Sequence, residues 1–259
     1  MDIIKTGKVA TFALFVLCFA IIVIMMYVAR SRERPPKLRS IAGVVAIEEG
    51  IGRSVELGKP FAVDMHTSGL TTVDGVVALS YLAFCAEKAA MTGCDFVVGI
   101  GAPEVVAVAE DIIRAAYAKS AKPEMFNPSR MIQYLGSVQF AYAGGWIGLV
   151  GREKPGAILI AGSMGAEAMS VGEAGQMVGA IQIAGSSSIT NIPFFITSCD
   201  YVIMGEELYV GAAVLSGDKV QLGCTIGQDY WKILTVALIA VGTIMATLGF
   251  KDLGNILRI

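Results

Sequence analysis

The chain has 259 residues, 55% of them hydrophobic and only 16% charged, with a mean hydropathy of +0.66. That composition excludes a disordered chain, a collagen-like repeat and a disulfide scaffold. The length suffices for one large domain plus membrane segments. The formal net charge of −2 is a sum of unlike parts.

Val9 to Ala29 carries no charged residue and is rich in Phe, Leu, Ile, Val and Met. As a helix it is long enough to cross a hydrocarbon core about 30 Å thick. It is too long for a cleaved signal peptide and lacks a small-x-small cleavage site. A basic stretch follows, with Arg30, Arg32, Arg34, Lys37 and Arg39 around Glu33 and Pro35-Pro36. Only Lys5, Lys8 and Asp2 precede the run. Ile233 to Phe250 is a second uncharged run, entered through Tyr230, Trp231 and Lys232. An aromatic pair beside a lysine suits a membrane interface. The positive-inside rule then places the N-terminus outside and the middle of the chain in the cytoplasm. Lys251 and Arg258 on the outer side run against that assignment. Cys18, Cys85, Cys94, Cys199 and Cys224 show no paired spacing, as expected on a reducing side.

These features divide the chain into a first membrane segment (1–29), a basic linker (30–40), a body (41–229) and a second membrane segment (230–259). From Ser40 to Asp229 there are 10 basic against 19 acidic residues, a net of −9, whereas residues 30–39 carry +4. An acidic body argues against nucleic-acid binding, which needs a basic footprint. The basic collar reads as a topology signal that also attracts anionic lipid head groups.

Within the body, Ile41 to Leu57 reads as a helix, followed by a strand over Phe61–Asp64. Thr72 caps a helix over Val73–Thr92 that Gly93 ends. Further strands are expected over Cys94–Gly99, Met131–Leu135, Gly156–Ala161 and Ala180–Ala184, with short extended pieces at Phe194–Thr197 and Tyr201–Met204. The intervening helices are Glu104–Ser120, a stretch to Val150, Ala166–Val178 and Glu206–Leu215. Solidly apolar strands separated by helices indicate a parallel sheet covered on both faces. The expected fold is therefore α/β: a Rossmann-like, doubly wound, mostly parallel sheet flanked by N- and C-terminal transmembrane helices. Two helices, around Val76–Cys85 and Val138–Val150, lack a charged outer face, which implies burial on the outer side as well. A self-association surface is the reading taken.

Ligands of such sheets bind beyond the carboxyl ends of the strands. There the chain carries a near-repeat, Ile158-Leu-Ile-Ala-Gly162-Ser163 and Ile181-Gln-Ile-Ala-Gly185-Ser186. Glycine lets backbone N–H groups approach an anion, and the hydroxyls of Ser163, Ser186 and Ser187 add donors. Tight turns alone would also explain the small residues. Ala161-Gly-Ser163-Met-Gly165 approximates a nucleophile elbow, but the lone His66 precedes it, against the hydrolase order. His66 and Ser68 follow the first strand and point to the same edge. His66 with Asp64, Ser163 or Glu167 is the acid–base combination available. Gly99-Ile-Gly101 lacks the third glycine of a dinucleotide fingerprint, and no phosphate-loop motif occurs. One histidine and scattered cysteines exclude a standard zinc site. Glu173 reads as partly buried and paired. The candidate ligand residues are thus His66, Ser68, Gly162, Ser163, Glu167, Gly185, Ser186 and Ser187. No metal is expected, and no cofactor is indicated.

Several segments together carry a resemblance: Ala46–Pro60 with Gly52-Arg53-Ser-Val-Glu56-Leu-Gly58-Lys-Pro60, Ala161–Glu167, Ala180–Gly185, Pro193–Phe195 and Cys199–Tyr209. The combination resembles an uncharacterised prokaryotic family of membrane-anchored domains of unknown function, from residue 41 to about residue 218. The resemblance implies an anchored α/β body and no particular activity. The function expected is a self-associating assembly or scaffold subunit at the membrane, compatible with a small-molecule or anion site at the sheet edge. Its partners would be the bilayer and further copies of the chain. The alternatives are a tethered ligand sensor and a hydrolase or transferase using His66 with Ser163 or Glu167.

Overall fold

The computed structural model describes residues 9–32 and 38–248. Arg34, Lys37, Pro35-Pro36, Lys5, Lys8, Lys251 and Arg258 lie outside the described residues, so the collar and terminal charges are represented only by Arg30, Arg32 and Arg39. Two compact units are present: Arg39–Ser216, and a second built from Met1–Leu38 with Gly217–Ile259.

The Arg39–Ser216 unit is a six-stranded parallel sheet with helices on both faces. Helix α2 spans Ala42–Leu57, strand β1 Phe61–Asp64, and helix α3 Val73–Thr92. Strand β2 is Phe96–Ile100 and helix α4 Pro103–Lys119. The short α5, Pro128–Met131, leads into β3, Ile132–Tyr134. Then come α6 (Gln139–Glu153), β4 (Ala157–Ala161), α7 (Ala168–Val178), β5 (Ile181–Ser186), α8 (Ile192–Ser198), β6 (Tyr201–Met204) and α9 (Glu207–Ser216). The strand order is β3-β2-β1-β4-β5-β6, so chain direction across the sheet reverses between β1 and β4. Alternate residues of each strand serve opposite faces. Phe61 and Val63 of β1 join the core under α2, α3, α4 and α9. Ala62 joins the core under α6, α7 and α8, where Trp146 and Tyr142 are fully buried.

Local signals explain most boundaries. The Thr72 side chain accepts a hydrogen bond from the Gly75 N–H, and Gly93 closes α3 in a left-handed conformation. The Phe194–Thr197 segment, expected to be extended, lies instead in α8. Pro193 fits a first helical turn, where its missing N–H costs nothing. Burial of Phe195 against the sheet then fixes the turn. Glu173, expected to be partly buried, is exposed on α7. Helix α3 is covered over most of its apolar side from within the unit, by α4 and α9, with Val73 and Val76 of its first turn left exposed. Helix α6 has not: Val138, Phe140, Ala141, Gly144, Ile147, Gly148 and Gly151 are all exposed around it.

The second unit holds α1, Val9–Ser31, and α10, Lys219–Thr247. Both are long and apolar enough to cross a membrane, as is α3 by length and composition. Helix α10 begins at Lys219, so residues 219–229 share a helix with the second apolar run and not the α/β unit. The two helices pack antiparallel. A Cβ on Gly223 would lie 2.6 Å from Ala29 Cβ, and one on Gly227 would lie 2.8 Å from Ile22 Cα. This small-x-x-x-small pair is what lets the backbones meet. Tyr230 and Trp231 consequently lie alongside the middle of α1 rather than at its end.

Trp146 anchors α6 on the sheet by lying over Gly99 of β2, where a Cβ would be 2.8 Å from its ring. Gly99→Val is expected to lift α6 and lower stability by about 1–3 kcal/mol, the usual cost of overpacking. Denaturant or thermal unfolding of the detergent-extracted full chain measures it; an unchanged midpoint would contradict this packing.

Candidate functional site

At the carboxyl end of β1 the chain turns sharply. His66 has a φ of +48°, a left-handed conformation that non-glycine residues seldom adopt. Asp64 holds it there. Its Oδ1 accepts the His66 N–H at 2.7 Å, an Asx-type turn made by the side chain. The same oxygen accepts the Tyr142 hydroxyl at 2.6 Å. The His66 and Tyr142 rings meet edge to face at 4.9 Å. His66 Nε2 lies 2.8 Å from Glu167 Oε1 on the loop after β4. Glu167 also accepts from the Gly165 N–H at 3.0 Å and from the Gln139 side-chain amide. The cluster therefore bridges β1, β4 and α6 at the point where the strand order reverses.

All its members except Gln139 are buried, with Asp64 and Tyr142 at 0% exposure. Burial pushes the Asp64 carboxyl up to about 7, against the hydrogen bonds from Tyr142 and His66, and the neighbouring Glu167 charge adds to the rise. Burial lowers the His66 pKa, opposed by Glu167. Burial alone would raise Glu167, but the donors at Gly165, its own backbone N–H, Gln139 and His66 outweigh it and hold the carboxyl below its ordinary value. The resulting state is a neutral imidazole donating Nε2–H to a carboxylate. His66 Nδ1 then carries the lone pair. That atom and Asp64 Oδ2 have no hydrogen-bond partner among the described residues. Burial, followed by the Asp64 charge, raises the Tyr142 hydroxyl well above its ordinary range. Chemically this is an oriented base beside a carboxyl that keeps its proton to near pH 7, and no serine or cysteine is hydrogen-bonded to the imidazole among the described residues.

Ser163, the expected nucleophile or anion donor, turns elsewhere. Its hydroxyl donates to the Asp74 carboxylate in the first turn of α3. Ser187 donates to the same carboxylate at 2.7 Å, and Tyr209 at 2.9 Å. The two serine oxygens are 3.4 Å apart. The small-residue turns thus surround an internal anion. The pairing of Ser163 with His66 is not formed, because Glu167 occupies the imidazole and Asp74 occupies the serine. Sheet register explains which serines meet. The near-repeat is offset by one residue from the ladder, where Ile158 pairs with Gln182 and Ala161 with Gly185. Ser187 therefore comes level with Ser163. Ser186 is instead fully buried, its hydroxyl accepting the Ser188 N–H at 3.2 Å.

Gly162 has a φ of +133° and faces Ser68, whose Oγ would be 3.0 Å from any added Cβ. Gly185 lies under Leu208, 2.7 Å from a hypothetical Cβ. Of the eight candidate residues, His66 thus pairs with Glu167 and Ser163 and Ser187 bond Asp74, whereas Ser68 faces Gly162, Gly185 lies under Leu208 and Ser186 bonds its own loop. Asp74, Tyr142, Gln139 and Tyr209 were missed by sequence reasoning. The available signals were Asp74 in the first turn behind the Thr72 cap and the polar Gln139 and Tyr142 one turn apart in an apolar helix. Asn191 fastens the region by accepting the Met164 N–H at 3.1 Å. Of the basic collar, Arg39 belongs to the α/β unit and pairs with Glu207. Arg30 ends α1, and Arg32 follows it. Among the described residues no group of three or more His, Cys, Asp or Glu could hold a metal ion.

A family described as "Domain of unknown function (DUF6754)" matches residues 1–257. No curated protein and no solved structure matches the chain.

Asp64 gives the cluster a pH signature. Its pKa in the fold, about 7, exceeds the ordinary 3.8, so folding favours the protonated form. The stability this contributes is full below about pH 4 and is lost as pH rises through about 7. His66 and Glu167, both lowered, act in the opposite sense at lower pH. Relative to Asp64→Asn, the melting temperature of the full chain should therefore fall as pH rises from about 4 to about 7 and level off above that. Equal slopes for both proteins would show that Asp64 does not titrate there.

Proposed function

The chain belongs to the DUF6754 family, and we propose that it is a membrane-anchored assembly subunit whose Rossmann-like α/β bodies associate with further copies of themselves through α6. The observation that carries this reading is the outer face of α6. From Val138 to Gly151 it exposes no charged side chain, with Val138 at 67% and Phe140 at 66% exposure. Gly144 and Gly148 are one turn apart on that face, and a Cβ on Gly144 would meet nothing. Two copies of such a helix can approach backbone to backbone, which makes the face its own complement in a two-fold contact.

Anchoring supports the same reading. The antiparallel α1 and α10 are each long and apolar enough to span a bilayer. A hairpin returns both ends to one side, in keeping with an outer N-terminus, an outer C-terminus and a cytoplasmic body. Confinement to a surface raises the effective concentration of neighbouring bodies, so a modest contact per copy suffices. The polar groups at the sheet edge favour this reading over a tethered anion sensor or a hydrolase. Asp74 engages the Ser163, Ser187 and Tyr209 hydroxyls, and the buried His66–Glu167 pair has no serine or cysteine hydrogen-bonded to it among the described residues.

Phe140→Glu should leave the fold intact, because the side chain is exposed, yet weaken association about tenfold or more. Chemical crosslinking and particle size of the full chain in mild detergent read this out. A wild-type particle that is monomeric, or a variant that assembles equally well, would refute association through α6.

A further inference from the structure

The hairpin register brings ionisable side chains to the centre of an apolar span. Gly223 meets Met25, Met26 and Ala29, and Gly227 meets Ile22 and Met25. Leu14 shares a cavity wall with Thr235, Leu238 and Gly242 further along. Equal steps along both helices put Asp229 level with Ile21 and Lys232 level with Cys18, the middle of the Val9–Ala29 run. The two apolar runs are thus out of step by about ten residues, roughly 15 Å of helix.

Bilayer placement must choose between them. Centring the bilayer on the second run would leave α1 from Cys18 to Ala29 in water, a stretch with no charge and with Phe19 63% and Tyr27 75% exposed. Centring it on α1 immerses one ion pair, Asp229–Lys232, 3.1 Å apart and already neutralised. The second placement submerges less that water would hold. It also submerges a stripe, because Gln221, Thr225, Gln228, Asp229 and Lys232 follow a helical period along α10. The stripe lies away from the buried Gly223 and Gly227 that contact α1. In hydrocarbon, polar side chains are met by other polar side chains.

We propose that this stripe is a second self-association surface, in the membrane, where Asp229 of one copy pairs with Lys232 of the next. This rests on the membrane-anchored reading above but not on α6. A second copy is the occupant because the stripe carries one anion and one cation a turn apart. Such a pair is complementary to itself, whereas a partner of single sign would satisfy half of it.

The test mixes charge-altered full-length chains carrying two different tags. Asp229→Lys makes a chain with two cations there, and Lys232→Asp makes one with two anions. Each alone should capture its own copies at least tenfold less than wild type after mild-detergent extraction. Co-expressed, the two should capture one another at near wild-type yield, which repair of a purely intrahelical pair cannot produce. Undiminished self-capture, or mixed capture no better than self-capture, would overturn the proposal. So would rapid reaction of Cys224 with an aqueous maleimide in opened vesicles, read by peptide mapping, since it would put the stripe in water. Running the series with and without Phe140→Glu separates the two surfaces. Loss of assembly with Phe140→Glu alone overturns this proposal and spares α6; loss with the charge variants alone does the reverse.

Discussion

Asp64 sits at 0% exposure at the end of a central strand, with no cation beside its carboxyl among the described residues. An unpaired charge there would be costly, so the surroundings supply hydrogen bonds and the group keeps a proton to near neutrality. Much else depends on that placement. The left-handed turn at His66 exists because Asp64 Oδ1 accepts its N–H. The start of α6 lies where it does because Tyr142 must reach the same oxygen. The turn in its own right aims the imidazole across β1 to Glu167, which ties in the loop after β4. Two strands and a helix are thereby joined through polar contacts at the position where α/β sheets ordinarily open a crevice. Here His66, Asp64 and Glu167 are buried at that position and bonded to the protein's own groups.

Strand positions were legible in the sequence because burial on both faces leaves a run with no polar alternation. β1 and β6 begin and end where the apolar pattern does, and the ends of α3 followed from Thr72 and Gly93, whose cap chemistry is local. The site was legible only as a neighbourhood. His66 and Glu167 could be named, since few ionisable residues fall at that edge. Which serine faces which acid could not be read, because it depends on a one-residue slip between β4 and β5. Side chains alternate with a period of two, so that slip exchanges the roles of Ser186 and Ser187. The sequence repeat suggests equivalence of Ser163 with Ser186; the hydrogen-bond ladder sets Ser163 against Ser187 instead.

The helical hairpin shows the same division between pattern and partner. Composition locates two apolar runs but carries no information on their relative register. That register is set by Gly223 and Gly227, which sit outside the second run and look unremarkable beside Cys224 and Gln228. Close backbone approach is seen at those two glycines, so α1 meets the polar half of α10 there. Tyr230 and Trp231, reasonable interface markers from composition, are carried along the side of α1 as a result.

Inward and outward chemistry are divided unusually in this chain. At the carboxyl edge the Ser163 and Ser187 hydroxyls are turned toward Asp74, and the imidazole Nε2 is turned toward Glu167. Displacing good internal partners such as these returns little to a bound anion, while His66 Nδ1 and Asp64 Oδ2 stay without a hydrogen-bond partner among the described residues. The outer face of α6 has the contrary character: it keeps aromatic and aliphatic side chains in contact with water and lacks any charge that would make that exposure comfortable. An exposed apolar patch carries an unrelieved hydration cost, which contact with another surface relieves. The exposed flank of α6 therefore has a gain to make from contact that the engaged hydroxyls of Ser163 and Ser187 do not, and that difference is the physical reason to test what this body assembles with.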